Sequence, residues 1–110
     1  MELAFETLAL RDICESDVEA RKSLPALTVD DLQARLADLR AATSASDLIA
    51  GRPRVDANPP GHIRFRLDGD YELVCVGNHP KPLLTDGGLM RLDRMRRVSV
   101  VAINGRRRDG

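Results

Sequence analysis

The chain has 110 residues, which is enough for one domain and too few for two. Its seventeen basic residues balance seventeen acidic ones, so the whole molecule is not a polyelectrolyte that would bind nucleic acid by charge alone. Aromatic residues make up only 3% of the sequence, which excludes a surface of stacking platforms for single-stranded nucleic acid.

The sequence also predicts where the protein acts and what it lacks. It contains no apolar run of membrane-spanning length, and its start has neither the basic front nor the apolar stretch of a signal peptide. We therefore expect a cytoplasmic protein without a membrane partner, in which Cys14 and Cys75 are reduced core side chains. Neither His62 nor His79 has a ligand at a standard spacing, so no metal site and no cofactor are expected.

The first third of the chain carries helical signals. Residues 3–5 are a short apolar stretch that is expected to open a sheet, and Thr7 is expected to cap the helix after it. The apolar face of that helix returns at intervals of three and four residues, at Leu10, Ile13 and Cys14. Pro25 interrupts any continuation of this helix.

A stronger helix is predicted over residues 28–42. Thr28 with Asp31 three residues later resembles a capping box at its start. Its apolar stripe consists of Val29, Leu32, Leu36 and Leu39. Residues 43–61, which are rich in Ser, Gly and Pro, are predicted to be a connection and not a domain boundary.

The second half is predicted to be rich in strands. Ile63, Phe65 and Leu67 alternate with polar residues, residues 68–70 signal a turn, and an apolar strand follows over 71–76. These two runs predict a hairpin whose second strand is the more central one. Residues 77–88 are predicted to form a loop and residues 89–97 a short helical turn. A third strong strand is predicted over residues 98–103, and Gly105 is expected to terminate it. Residues 106–110 are predicted to form an exposed tail.

The predicted order is therefore β-α-α-β-β-β in one α+β domain over residues 1–110. Within it, one strand carries candidate functional side chains. His62, Arg64 and Arg66 project from the same face of that strand, and Arg52 and Arg54 precede them. Together they are RNA-binding candidates that can contact phosphates, and His62 can shuttle a proton. The plainer alternative, a solvated strand face, is common in antiparallel sheets.

A second basic cluster lies near the end of the chain, where surface solubility is the favoured interpretation. Its members are Arg91, Arg94, Arg96, Arg97 and Arg106 to Arg108.

Four stretches of the sequence carry a resemblance to a known protein family, and the resemblance covers nearly the whole chain. The sequence LRDICE at 10–15 is similar to that family's first helix, and LADLRAAT at 36–43 is similar to its second. The sequence DGDYEL at 68–73 looks like the family's hairpin turn. Pro82 with Asp86-Gly87-Gly88 resembles a loop insertion found in one subgroup. Taken together, these stretches resemble the HigB-like branch of the RelE/ParE toxin superfamily.

The resemblance implies two N-terminal helices packed on a small curved antiparallel sheet. It implies a type II toxin–antitoxin pair in which the partner is a helix-turn-helix antitoxin. Active members of the family are endoribonucleases that cut mRNA on the ribosome, using basic residues and a C-terminal Tyr or His. Relatives of the ParE type inhibit DNA gyrase instead.

The sequence departs from the family where the chemistry would be. Tyr71 matches the hairpin aromatic, but Glu72 stands where the family has an Arg. The segment at 56–60 has none of the usual Lys or Arg residues, and the terminal Tyr-His pair is missing. Because a carboxylate repels phosphate, ribonuclease activity is expected to be weak or absent, and the catalytic residues are unknown. The first prediction is a toxin-like component of a type II toxin–antitoxin pair, whose cleavage of mRNA, where it occurs, depends on Arg52, Arg54, His62, Arg64 and Arg66. The alternatives are a silent binding module that retains the antitoxin contact and a gyrase inhibitor of the ParE type.

Overall fold

The computed structural model describes residues 1–44, 54–57, 60–77 and 96–105, and for residues 54–57, 60 and 61 it describes the backbone alone. Within these ranges the chain forms three helices and five strands. In chain order they are β1 (Glu2–Phe5), α1 (Leu8–Glu15), α2 (Asp17–Ser23), α3 (Ala26–Ala41), β2 (Arg54–Ala57), β3 (Pro60–Leu67), β4 (Tyr71–Gly77) and β5 (Arg97–Gly105).

The strands form one mixed sheet in the order β1-β5-β4-β3-β2. The predicted α+β class, with helices first and the sheet after them, is confirmed. The prediction that β4 is more central than β3 is also confirmed. The expectation of a wholly antiparallel sheet is wrong at β1, which pairs in parallel with β5. Parallel neighbours need a long crossover, and here the three helices and the other strands lie between the two in the chain.

The first helical region is divided in two at Ser16, which the sequence analysis did not predict. Thr7 caps α1 as expected, because its Oγ1 accepts the Leu10 amide at 3.1 Å. Ser16 is extended at φ −119°, ψ 117°, and its Oγ accepts the Glu19 amide at 3.3 Å to start α2. The predicted apolar face of α1 is confirmed, since Cys14 is buried and both Leu10 and Ile13 pack against the core.

α3 begins two residues before the predicted start, and Thr28 does not cap it. Its N-cap is Pro25, which makes no side-chain capping bond. Thr28 and Asp31 instead hold the hairpin turn: Thr28 Oγ1 donates to the Asp68 carbonyl at 2.5 Å, and the Asp68 amide donates to Asp31 Oδ2 at 3.0 Å. The capping-box interpretation was wrong because α3 begins at Ala26, so Thr28 lies inside the first turn and not at the N-cap, where a capping side chain is needed.

The core lies between α1, α3 and one face of the sheet. The whole predicted stripe of α3 is buried, including Leu32, Leu36 and Leu39, which are at most 1% exposed. The sheet contributes the alternate residues of β3, β4 and β5: Ile63, Phe65, Leu67, Leu73, Cys75, Val98 and Val100.

Both cysteines are free thiols in this core, as predicted. Burial raises the pKa of the Cys14 thiol to about 11 and that of the Cys75 thiol to about 12. Such thiols are neutral and poor nucleophiles at physiological pH, so they serve as small apolar side chains.

The connection predicted over residues 43–61 is corrected in its last part, because the backbone of β2 pairs with β3 there. Its Ser, Gly and Pro content gave no strand signal, since the ladder depends on the neighbouring strand and not on local propensity. β5 starts one residue before the predicted strand and includes Gly105. The predicted loop at 78–88, most of the helical turn at 89–97 and the tail at 106–110 lie outside the described residues.

Candidate functional site

The candidate side chains lie on the face of the sheet that does not carry the core, which we call the outer face. His62, Arg64 and Arg66 alternate along β3 with the buried Ile63, Phe65 and Leu67, so all three project to this face. In the ladder with β4 they stand opposite Val76, Val74 and Glu72, respectively. The structure therefore brings together three of the predicted RNA-binding candidates.

Glu72 changes the charge of this group. Arg64 Nη1 donates to Glu72 Oε1 at 2.7 Å, in a pair whose side chains are 27% and 18% exposed. Charge-assisted hydrogen bonds of this length are among the stronger ones in proteins. The guanidinium of Arg64 is therefore compensated by the carboxylate at the position where the family resemblance leads one to expect a second positive charge.

The alternative of a solvated strand face holds at the Arg66 end of β3 but not in the middle of the outer face. Arg66 is exposed, and within the described ranges it makes no ion pair. Val74, which shares the outer face, is only 3% exposed, and Arg64 and Glu72 are half-buried beside it. The middle of the outer face is thus shielded from solvent, and Arg66 offers the accessible positive charge.

His62 is half-buried, and its Nδ1 is shielded from solvent without a hydrogen-bond partner. General-base histidines are usually oriented through one ring nitrogen so that the other can take a proton. In the described part of the chain no carboxylate holds His62 in that way. His62 therefore lies on the same strand as two arginines but is not oriented as the general base that cleavage next to a 2′-hydroxyl requires.

The remaining candidates are placed only in part. Arg54 is in register with Arg64 across the β2–β3 ladder, although its side chain is not described. Arg52 lies outside the described residues. The backbone register alone therefore places Arg54 beside Arg64.

Tyr71 and Glu72, the two family-position candidates, lie on opposite faces of β4 because successive strand residues alternate. Tyr71 is half-buried and packs against the core, and a Cβ at Gly105 would lie 3.7 Å from its ring. A tyrosine that packs at the core edge does not share a site with Arg64 and Glu72.

The second basic cluster is represented by two of its members. Arg96 and Arg97 are exposed, and Arg97 Nε lies 3.1 Å from Glu2 Oε2 across the β1–β5 pair. Arg91, Arg94 and Arg106 to Arg108 lie outside the described residues. An exposed ion pair of this kind agrees with a solubilising surface.

One feature was missed by the sequence analysis. A surface groove of about 420 Å³ runs between β1 and α1, and we call it the edge groove. It is lined by Leu3, Phe5, Glu6, Thr7, Leu8, Arg11 and Glu15. Its one available sequence signal was Leu8, an apolar residue off the apolar stripe of α1, which proves to be 75% exposed.

Two kinds of feature are absent from the described parts of the chain. No group of three or more His, Cys, Asp or Glu side chains that could hold a metal ion occurs among the described residues. No helix there combines the length and the apolar composition needed to cross a membrane.

No family model, curated protein or solved structure matches this chain. The RelE/ParE resemblance therefore stays a prediction that rests on the motifs quoted above. The geometry of the outer face is information about function that does not depend on this resemblance.

Proposed function

We propose that this protein is the toxin-like component of a cytoplasmic type II toxin–antitoxin pair, and that it acts by binding a protein partner and not by cleaving mRNA. The toxin-like assignment is supported by the order of the elements, with helices before an antiparallel hairpin, and by the quoted motifs. The choice of binding over cleavage depends on one observation, the ion pair between Arg64 and Glu72.

The physical argument concerns charge in the transition state. Attack of a 2′-hydroxyl on its phosphate develops negative charge, which a nuclease must stabilise with positioned cations. Glu72 uses the positive charge of Arg64 and adds a carboxylate to the same face. Loss of one positioned electrostatic donor typically costs about 10²–10³ in rate. Loss of a general acid or base costs about 10²–10⁴.

The second candidate is a ribosome-dependent endoribonuclease in which the basic strand supplies the active groups. It is favoured by the accessible Arg66 and by the unpartnered Nδ1 of His62, which lie on the same face. A gyrase inhibitor of the ParE type is the third class, and toxicity with DNA damage but intact mRNA would identify it.

Cleavage of ribosome-bound mRNA separates binding from catalysis. The assay compares the wild type, Glu72→Gln, Glu72→Arg and a triple Ala variant at His62, Arg64 and Arg66. We expect no cleavage by the wild type above the background of the triple variant. Robust cleavage that the triple variant loses would reject the silent-module proposal and establish the basic strand as the active site.

Partner binding is tested by inducing the protein alone and together with the product of the neighbouring gene, followed by growth measurement and co-purification. A partner present at a hundred times its dissociation constant adds about 2.7 kcal/mol of apparent stability, which thermal unfolding detects. Repeated purification of the free monomer from the native host would count against the proposal.

A further inference from the structure

The outer edge of β1 is unpaired in the described part of the chain. The Glu2 amide donates to the Arg96 carbonyl at 3.1 Å, and the Glu6 amide donates to the Val100 carbonyl at 3.0 Å. Because strand residues alternate in direction, Leu3 and Phe5 direct their backbone N–H and C=O groups away from β5. No described residue satisfies these groups, and such a row is a template for another strand.

The edge groove lies directly beside this row. The side chains of Leu3 and Phe5 face α1, which presents Leu8, Arg11 and Glu15 along the other wall. A strand added to β1 would direct every second side chain toward α1 and so into the groove. Strand addition uses two kinds of contact, a backbone ladder and a pocket for alternate side chains. Here the unpaired backbone of β1 provides the ladder, and the groove beside the exposed Leu8 provides the pocket.

A second copy of this chain is a poor occupant. Antiparallel pairing of two β1 strands about Ala4 would place Leu3 opposite Phe5 and Glu2 opposite Glu6 of the other copy. The symmetry makes two such carboxylate pairs, and like charges directly opposite each other destabilise a ladder. The same carboxylates favour a strand with basic residues at those positions. Glu6 is the stronger determinant, because Glu2 already pairs with Arg97.

We propose that the β1 edge and the edge groove bind an extended segment of a partner protein, about five residues long, by strand addition. The segment carries two apolar side chains that face α1 and basic residues at its two ends, opposite Glu2 and Glu6. This inference goes beyond the proposed function, since it specifies the surface and the chemistry of the bound segment, and it holds whatever the outer face does.

Amide hydrogen exchange tests the backbone part of the proposal. The probe is a synthetic peptide with the core Lys-Val-Thr-Val-Lys, whose symmetry serves either strand direction. In the free protein we expect the Leu3 and Phe5 amides to exchange faster than the Glu6 amide, which donates to the Val100 carbonyl. Saturating peptide should slow exchange at Leu3 and Phe5. Binding without that protection, or no binding, would overturn strand addition.

Peptide affinity tests the side-chain part. Leu8→Glu should weaken binding at least about tenfold, because the added strand would bury the leucine and an unpaired carboxylate is costly to bury there. Leu27→Glu is the matched control, because Leu27 is 68% exposed and lies outside the groove. An equal loss with Leu27→Glu would reject the groove as the site.

Charge preference is measured with a second peptide, Glu-Val-Thr-Val-Glu. The wild type should prefer the Lys-ended peptide, and Glu6→Lys should shift the preference toward the Glu-ended one. Equal binding of both peptides by the wild type would reject the basic character assigned to the partner segment.

Discussion

Arg64 of β3 and Glu72 of β4 form a diagonal ion pair, with 2.7 Å between Nη1 and Oε1, on the outer face of the hairpin. The residue directly across from Glu72 in the ladder is Arg66, yet the carboxylate bonds to the arginine two positions away. Long side chains span that diagonal easily. The result is a basic strand whose middle member is neutralised and whose end member remains accessible.

The coupling between these two side chains can be measured with a double-mutant cycle. Arg64→Ala, Glu72→Ala and the double variant should give a coupling free energy of about 1 kcal/mol, since the pair is half-buried and charge-assisted. Chemical denaturation supplies the free energies of unfolding of these three variants and of the wild type. A coupling indistinguishable from zero would mean that Glu72 does not neutralise Arg64 in solution.

Truncation of Leu36 tests the packing of α3 on the sheet. Leu36 is 1% exposed, so Leu36→Ala should cost about 2–5 kcal/mol through lost burial and the cavity left behind. The control is Leu27→Ala, an exposed position of the same helix, which should change stability by less than about 0.5 kcal/mol. Comparable losses for both variants in denaturant titrations would show that the buried face of α3 is wrongly assigned.

Gly69 is required at the hairpin turn for two reasons. Its φ is +83°, and a Cβ there would overlap Thr28 Oγ1, which holds the Asp68 carbonyl. We expect Gly69→Ala to destabilise the protein by about 1–3 kcal/mol. If the overlap with Thr28 contributes, the same substitution should cost less in a Thr28→Ala background, and thermal unfolding of the four proteins measures this. If the losses from Gly69→Ala and Thr28→Ala simply add in the double variant, the positive φ of residue 69 alone explains the cost of Gly69→Ala.

The two thiols predict a loss of stability at alkaline pH. Folding raises the pKa of Cys14 from 9.0 to about 11 and that of Cys75 from 9.0 to about 12. The neutral thiols are thus favoured in the folded state, so their contribution is fully present below pH 9.0 and is lost as pH rises through the folded values. Linkage gives about 1.4 kcal/mol per pH unit for each proton released on unfolding.

The measurement is the free energy of unfolding at about pH 8 and about pH 10 for the wild type and for a Cys14→Ala, Cys75→Ala double variant. The difference between the two pH values should be smaller in the double variant, because other titrating groups are common to both proteins. A thiol reagent should label the native wild type slowly at neutral pH. Rapid labelling would contradict the burial of both cysteines.

Local patterns were sufficient where an element depends on its own residues. The spacing of Leu32, Leu36 and Leu39 predicted the buried side of α3, because a helix repeats every 3.6 residues whatever it packs against. The alternation of Ile63, Phe65 and Leu67 around the turn at Gly69 predicted the hairpin and its face for the same kind of reason. That alternation also placed His62, Arg64 and Arg66 together.

The tertiary structure alone decided what depends on a neighbour distant in the chain. Thr28 and Asp31 have the spacing of a helix cap, but the hairpin turn 37 to 40 residues later takes their hydrogen bonds. The pair of Arg64 with Glu72 was within reach once the turn fixed the register, yet no local rule says that a diagonal partner is chosen over the directly opposed one. The position of β1 at the edge of the sheet, with Leu8 beside it, follows from a parallel pairing with β5 that no short-range periodicity encodes.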